Sequence, residues 1–145
     1  MEIEPFRIEE YDELIALWER SGLPFDKADR DSRDKIEKQT YDDHVVILTL
    51  KDNGRMIGAV IGSSDGRKGW INRLVIEPEY RGRKLAERLL ERTEEALIEM
   101  GVDYFSALIE DKNFPSMALF RRNGYDPWDD IVYFSKRLNK KSTGC

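Results

Sequence analysis

Hydrophobic residues along the chain follow two spacings, one typical of helices and one typical of strands. Helical spacing over residues 9–20 predicts a first helix that ends near Ser21 and Gly22. A more polar second helix is predicted after Ser32, and a short one over residues 113–122. The longest predicted helix has an apolar face from Leu85 to Met100 and is terminated by Gly101.

Apolar runs between these helices have the composition of strands. Strands are predicted over residues 1–8, 45–50, 55–61, 70–76, 102–109 and 131–138. The segment Asp52-Asn53-Gly54 predicts a tight hairpin, because Asn-Gly accepts the positive φ angles of such a turn. Runs that are apolar nearly throughout indicate a sheet covered on both faces, so the element order predicts a mixed α/β fold with helices on both sides.

Composition and charge narrow the class of protein. A chain of 145 residues that is 40% hydrophobic and 37% charged fits one domain, predicted over residues 1–138 with a polar tail at 139–145. Its net charge of -5 argues against nucleic acid or an anionic membrane as a general partner. Without a spanning apolar run or a signal peptide, a cytoplasmic protein is predicted, as a monomer or homodimer. The single cysteine, Cys145, rules out an internal disulfide or a cysteine-based zinc site, and no metal site is predicted.

One basic segment does not fit the acidic balance of the chain. Arg81, Arg83 and Lys84 crowd the start of the predicted long helix, where the helix dipole already contributes partial positive charge. Three cations around Gly82 favour a bound anion such as a pyrophosphate, held by first-turn amides. The standard glycine-rich nucleotide motifs are absent from the sequence. From this stretch alone, ion pairs with neighbouring glutamates explain the cations equally well.

The wider arrangement resembles the GNAT superfamily of N-acetyltransferases. The strand Leu74-Val75-Ile76, followed by residues 77–80 and Arg81-Gly82-Arg83-Lys84-Leu85-Ala86, resembles the acyl-CoA signature of that superfamily. Asn113, residues 118–120 and Asn123-Gly124-Tyr125 resemble its second signature. The resemblance implies a GNAT-like fold with a central mixed, mostly antiparallel sheet. It also implies transfer of an acetyl group from acetyl-CoA to a primary amine.

The resemblance further implies a coenzyme A site. The backbone of Leu74 and Ile76 would pair with the pantetheine arm, and residues 81–87 would hold the pyrophosphate. The predicted cofactor-binding residues are Leu74, Val75, Ile76, Arg81, Gly82, Arg83, Lys84, Leu85, Ala86, Glu87, Asn113 and Ser116. Ser116, Lys112, Arg121 and Arg122 are weaker candidates, for which an ordinary capping or surface role is at least equally compatible.

Two positions depart from the pattern of the superfamily. Lys84 stands where the phosphate loop usually has a second glycine, which alters one close approach of the backbone. Phe120 stands where many members have a tyrosine that is assigned as the general acid toward the leaving thiolate. Because phenylalanine has no proton to donate, solvent water, Tyr125 or Tyr133 would have to protonate the thiolate.

Attack of an amine on a thioester requires the neutral amine, and a lysine-like amine has a reference pKa of about 10.4. Glu110, just beyond a predicted strand, is the first candidate for the general base, acting directly or through water. Glu77 is the second candidate. His44, the only histidine, is assigned a structural role.

The acceptor is the least constrained part of the prediction. In the superfamily, the segment after the first helix shapes the acceptor site, which here implicates Trp18, residues 23–25 and the acidic Asp26, Asp29 and Asp31. Those carboxylates would attract a cationic amine, carried by a small molecule or a protein. Two alternatives stay open: a non-catalytic acyl-CoA-binding or sensing module, which Phe120 favours, and an interaction protein without a cofactor.

Overall fold

Five strands form a single sheet in the computed structural model, which describes residues 1–138. The strands are β1 (Glu2–Pro5), β2 (Val45–Asp52), β3 (Arg55–Ser64), β4 (Gly69–Ile76) and β5 (Phe105–Ser106), and the helices are α1 (Tyr11–Arg20), α2 (Arg33–Thr40), α3 (Leu85–Glu99) and α4 (Phe114–Arg122). The strands follow one another in chain order. The pairs from β1 to β4 are antiparallel and β5 is parallel to β4, which confirms the predicted mixed, mostly antiparallel sheet.

Helices cover both faces of the sheet, as predicted. Successive side chains of a strand point to opposite faces, so Ile47 packs with α1 and α2 while Leu48 packs with α3. Two buried clusters result. One contains Leu14, Leu17, Trp18 and Ile36, and the other contains Leu89, Leu90, Leu97 and Phe120. The nearly continuous apolar runs of β2 and β3 are explained by this burial on both faces.

Local signals placed several element ends correctly. The Ser32 hydroxyl accepts a hydrogen bond from the Lys35 amide at 3.3 Å, which caps α2. The β2–β3 hairpin turns at Asn53 and Gly54, whose φ angles are 51° and 82°. Gly101 follows the end of α3 with a φ of 93°. Each of these features depends on a few neighbouring residues and needs no long-range contact.

Other element bounds were wrong. The strand predicted over residues 1–8 is shorter, and a 3-10 helix, Ile8–Glu10, precedes α1. The strand β3 continues to Ser64, three residues beyond its predicted end at residue 61. The strand predicted over residues 102–109 pairs only at Phe105 and Ser106.

The strand predicted over residues 131–138 was also wrong. This segment has no strand pairing, and the side chains of Ile131, Val132 and Phe134 are exposed. An apolar run becomes a strand only where a neighbouring strand offers a ladder of backbone groups. The sheet ends at β5, which is only two residues long and offers little ladder for a further strand, so the pattern alone was insufficient.

The predicted polar tail, residues 139–145, lies outside the described residues. Within residues 1–138, no helix is both long and apolar enough to cross a membrane. The cytoplasmic location, the monomer or homodimer state and the lack of a nucleic-acid partner stay predictions.

Candidate active site

The two parallel strands of the sheet separate shortly after they begin. The strands β4 and β5 pair only through Gly69 with Phe105 and Trp70 with Ser106. Beyond these pairs, the β4 segment from Ile71 to Ile76 has no ladder partner on its β5 side among the described residues. The separation therefore opens a gap between β4 and the segment that follows β5.

An open cleft of about 1250 Å³ occupies this gap. It extends from the first turn of α3, along β4, to the segment between α1 and α2. All of the predicted cofactor-binding residues except Arg83 line it, and so does Glu110. Residues from widely separated parts of the sequence are thus brought into one site, as the two signatures implied.

A bulge in β4 lies beside this cleft. On the β3 side, Ala59 pairs with Val75 and Ile61 pairs with Asn72, so the two residues between Asn72 and Val75 face one residue of β3. Arg73 lies at this irregularity with a φ of 55°. Residues other than glycine seldom adopt that left-handed geometry, which costs on the order of 1–3 kcal/mol.

The turn before α3 has the shape of an anion cradle. Gly82 and Lys84 both have positive φ angles, 82° and 60°. Lys84 is the N-cap residue of α3, and no side chain caps the helix start. The first-turn amides are therefore available to a ligand, and the helix dipole favours an anion there. The left-handed geometry at Lys84 also explains why the superfamily usually has glycine at this position. Lysine in place of glycine adds backbone strain there.

The three cations of this turn differ in position. Lys84 and Arg81 line the cleft, and the Arg81 Nε atom donates to the Ile76 carbonyl at 3.2 Å. Arg83 instead stacks its guanidinium on the Tyr80 ring, 5.1 Å from the ring centroid. Its predicted contact with the cofactor therefore lacks geometric support.

At the predicted cofactor end of the cleft, the wall that faces the start of α3 is formed by α4. Asn113 is the N-cap residue of α4, and its Oδ1 atom accepts from the Ser116 amide at 3.3 Å. Arg122 reaches across to Glu87 of α3, with 3.5 Å between the Arg122 Nη2 and Glu87 Oε1 atoms. Both helices therefore border the predicted cofactor end.

The two candidate bases lie in different environments. Glu110 is exposed and lines the cleft. Glu77 is only 3% exposed and is absent from the cleft lining. Its Oε1 atom accepts from Arg20 at 3.1 Å and from Arg55 at 2.6 Å. The geometry therefore favours Glu110 over Glu77, which acts as a buried ion-pair partner joining α1 to the β2–β3 hairpin.

Replacement of Glu77 by glutamine should lower the free energy of unfolding by roughly 1–3 kcal/mol, because two guanidinium groups lose their charged partner. Glu79→Gln, at an exposed neighbouring position, is the matched control and should have little effect. Urea denaturation of both variants measures the difference. Unchanged stability together with a large fall in kcat would return Glu77 to consideration as the base.

The candidate general acids, Tyr125 and Tyr133, also lie in different environments. Tyr125 packs edge-on against Phe120 and donates its hydroxyl to Glu94 at 2.5 Å. Burial first, and then this hydrogen bond, raise the pKa of the Tyr125 phenol far above its usual value. Tyr133 lines the cleft, whereas His44 is exposed beside Asp42 and does not. Tyr133 is therefore the better placed phenol of the two proposed.

Two of the three acidic residues expected to attract the amine, Asp29 and Asp31, are engaged elsewhere. Asp31 is 4% exposed, and its Oδ2 atom accepts from Arg30, Arg73 and the Asp26 amide at 3.3, 2.9 and 2.8 Å. Asp29 forms an ion pair of 2.7 Å with Lys35. For Asp29 and Asp31, these contacts do not support the expected role in drawing in a cationic amine.

Sequence reasoning overlooked Arg73. The signal was present, because Asn72-Arg73 interrupts an otherwise apolar strand. The side chain of Arg73 is 15% exposed and lies over the Trp18 ring, 4.6 Å from its centroid. Burial lowers the pKa of the Arg73 guanidinium, and the Asp31 carboxylate opposes this shift.

Comparison with known proteins identifies this architecture. Residues 10–125 match the Acetyltransferase (GNAT) family, which spans most of the chain and both candidate signatures. The chain belongs to the GNAT family of acetyltransferases. This membership confirms the predicted enzyme class, an acyltransferase that uses acetyl-CoA as co-substrate.

Solved structures of other GNAT proteins have the same fold. The aminoglycoside acetyltransferase AAC(6')-Iy, in complex with a bisubstrate analogue of coenzyme A and acetylneamine, is 16% identical, with a TM-score of 0.79 over 94% of this chain and 97% of that one. The PaiA N-acetyltransferase of Thermoplasma acidophilum, in complex with coenzyme A, is 19% identical, with a TM-score of 0.78 over 90% and 92%. The aminoglycoside 6'-N-acetyltransferase AAC(6')-IG of Acinetobacter haemolyticus is also 19% identical, with a TM-score of 0.76 over 96% and 100%. At these identities the likeness supports the predicted GNAT-like fold.

Proposed function

We propose that this GNAT protein transfers the acetyl group of acetyl-CoA to a primary amine bound in the cleft between β4 and β5. The observation that carries the proposal is the first turn of α3, where positive φ angles at Gly82 and Lys84 accompany an uncapped helix start at one end of the cleft. Such a turn directs amides at an anion. The pyrophosphate of coenzyme A is the anion proposed for it.

The pantetheine arm would then run along β4. Its amides match the backbone groups of Leu74 and Ile76, as an added strand would. The divergence of β4 from β5 supports this arrangement because it leaves that edge of β4 unpaired over these residues. The Arg81 side chain, bonded to the Ile76 carbonyl, would close the turn over the end of the strand.

Glu110 is the proposed general base. It lies on the segment after β5, across the gap from β4, and its exposure leaves room for a bridging water. Deprotonation of the amine is required for attack because the ammonium form has no free electron pair. The attack forms the C–N bond, and collapse of the tetrahedral intermediate breaks the C–S bond and releases the thiolate.

Protonation of the departing thiolate does not require an acid at the position of Phe120. A thiol has a reference pKa of about 8.5, so its thiolate is a good leaving group at neutral pH. Tyr133, which lines the cleft, or solvent water would supply the proton. Backbone amides at the β4 bulge would stabilise the oxyanion of the tetrahedral intermediate.

The acceptor end of the cleft lies between β4 and the segment that joins α1 to α2. Its lining includes Leu23, Pro24, Arg30, Lys35 and Gln39. A small-molecule amine or a flexible peptide end would fit an open cleft of this kind. Two of the three similar structures named above are aminoglycoside acetyltransferases, so an aminoglycoside belongs among the amines to be tested.

One observation favours a second candidate function. Phe120 is 6% exposed and packs against Tyr125, so no phenol occupies the position of the expected acid. A protein that binds acyl-CoA for sensing and does not turn it over would have no need of that acid. This alternative shares the cofactor site and differs in that no amine is acetylated.

Two measurements test the proposal. Calorimetry with coenzyme A should detect binding at micromolar protein, and no binding would contradict the cofactor site. Thiol release from acetyl-CoA should then rise above hydrolysis with at least one amine from a panel of kanamycin, spermidine, a peptide with a free N-terminus and an N-acetylated peptide with one lysine. Tight binding without acceleration by any of these amines would favour the sensing alternative.

A further inference from the structure

Residues 22–32, in the segment between α1 and α2, lie next to β4 and contribute to the lining of the cleft, and we call them the acceptor wall. It contains no helix or strand, yet its residues are well tied to the rest of the protein. The Tyr11 hydroxyl donates to the Asp31 carbonyl at 2.6 Å, and the Asp31 amide donates to the Asp26 carbonyl at 2.8 Å. These bonds hold the wall together and to α1.

One side chain connects the acceptor wall to the sheet. The Arg73 Nη1 atom donates to the Pro24 carbonyl at 2.6 Å, and Nη2 donates to Asp31 Oδ2 at 2.9 Å. The same guanidinium covers the ring of Trp18, which is fully buried in α1. Arg73 therefore contacts both ends of the wall and the helix that precedes it.

The backbone of Arg73 is bent at the point where β4 approaches this wall. The positive φ angle of Arg73 and the bulge change the direction of the backbone between Asn72 and Leu74. Both of these neighbouring residues line the cleft. Strained backbone is retained where surrounding contacts over-determine it, and such positions cluster at functional sites. A buried guanidinium is also costly unless its partners are held in good geometry.

From this arrangement we infer that Arg73 is a positioning residue for the acceptor: its guanidinium fixes the acceptor wall at a set distance from the β4 bulge, where the thioester would lie. The inference deepens the proposed function and rests on it for the identity of the cleft. Arg73 acts through the wall and takes no part in the bond changes. Removal of its side chain should therefore disturb acceptor binding and leave cofactor binding intact.

Arg73→Gly is the decisive variant, because glycine adopts a φ of 55° without strain, so the side chain is removed without straining the bulge. Amide exchange, measured by mass spectrometry, should accelerate by about tenfold or more in residues 22–32 and stay unchanged in the β2–β3 hairpin. For the panel amine with the highest rate, KM should rise by about tenfold or more, while KM for acetyl-CoA changes less than about twofold.

Two further variants separate positioning from general stability. Arg73→Lys keeps the charge and one donor, so it should recover part of the loss in amine KM. Arg67→Ala removes an arginine from the exposed turn between β3 and β4 and should change neither the exchange rates nor either KM.

Each outcome bears on the inference. Unchanged exchange of the acceptor wall in Arg73→Gly would overturn it, whatever the amine result. Faster exchange throughout the sheet, with equal increases in both KM values, would also overturn it, because Arg73 would then serve stability alone. If no panel amine accepts acetyl, the proposed function fails and the acceptor role falls with it, while selective exchange would still show that Arg73 holds the wall in place.

Discussion

Lys84→Glu is expected to weaken coenzyme A binding by about 10- to 100-fold, because a cation proposed to face the pyrophosphate is replaced by an anion. Lys84 lines the cleft at the uncapped start of α3. Calorimetry at low and high salt should show that the loss shrinks as ionic strength rises. Lys84→Gly, which tolerates the positive φ angle, should give a smaller loss because only the charge is removed.

The same turn provides a matched control. Arg83→Glu makes an equal change of charge one residue away, but the Arg83 guanidinium stacks on Tyr80 and lies outside the cleft lining. We expect its effect on affinity to be less than about threefold. Equal losses in the two variants would show that the turn acts through its overall charge. If Lys84→Glu lowered the affinity for pantetheine, which lacks the phosphates, by a similar factor, the pyrophosphate assignment would be contradicted.

Glu110→Gln is expected to lower kcat by about 100-fold or more, because a positioned general base typically contributes factors of that size. The glutamine keeps the shape of the side chain and cannot accept the proton. Without a base, only amine that is already neutral reacts, so the rate should rise about tenfold per pH unit up to the pKa of the amine. Steady-state kinetics of thiol release across a pH series measures both effects.

Asp111→Asn is the control for this substitution. Asp111 is the exposed neighbour of Glu110 and does not line the cleft, and its replacement removes the same charge. Its kcat should stay within about twofold of the parent protein. An unchanged kcat in Glu110→Gln would contradict the proposed base, and an equal fall in both variants would indicate a general effect of charge near the thioester.

Strain within the described residues is concentrated at the cleft. Three residues other than glycine have positive φ angles within residues 1–138, namely Asn53, Arg73 and Lys84. Asn53 belongs to a hairpin that favours this geometry, whereas Arg73 and Lys84 both line the cleft. Lys84 lies at the proposed pyrophosphate cradle, and Arg73 lies next to the acceptor wall. The two ends of the site thus share a physical feature that local sequence patterns did not reveal.

Element prediction succeeded where the deciding interactions are local. The caps at Ser32 and Asn113 satisfy helix amides within three residues, and the Asn53-Gly54 turn requires only its own φ angles. Prediction failed at residues 131–138, where the sequence favours a strand but the sheet offers no partner ladder. Strand pairing depends on a neighbour that is distant in the sequence, so composition cannot decide it.

The proposed cofactor end of this protein could be predicted from the sequence itself, because an anion cradle built from consecutive residues, Arg81 to Glu87, needs only a turn and a helix start. The tertiary structure decided the rest. It separated Glu110 from Glu77 by exposure, and it joined Arg73 to Asp31 across 42 positions of the chain. Burial and ion pairing between distant segments assign such roles, and no local pattern in the sequence encodes them.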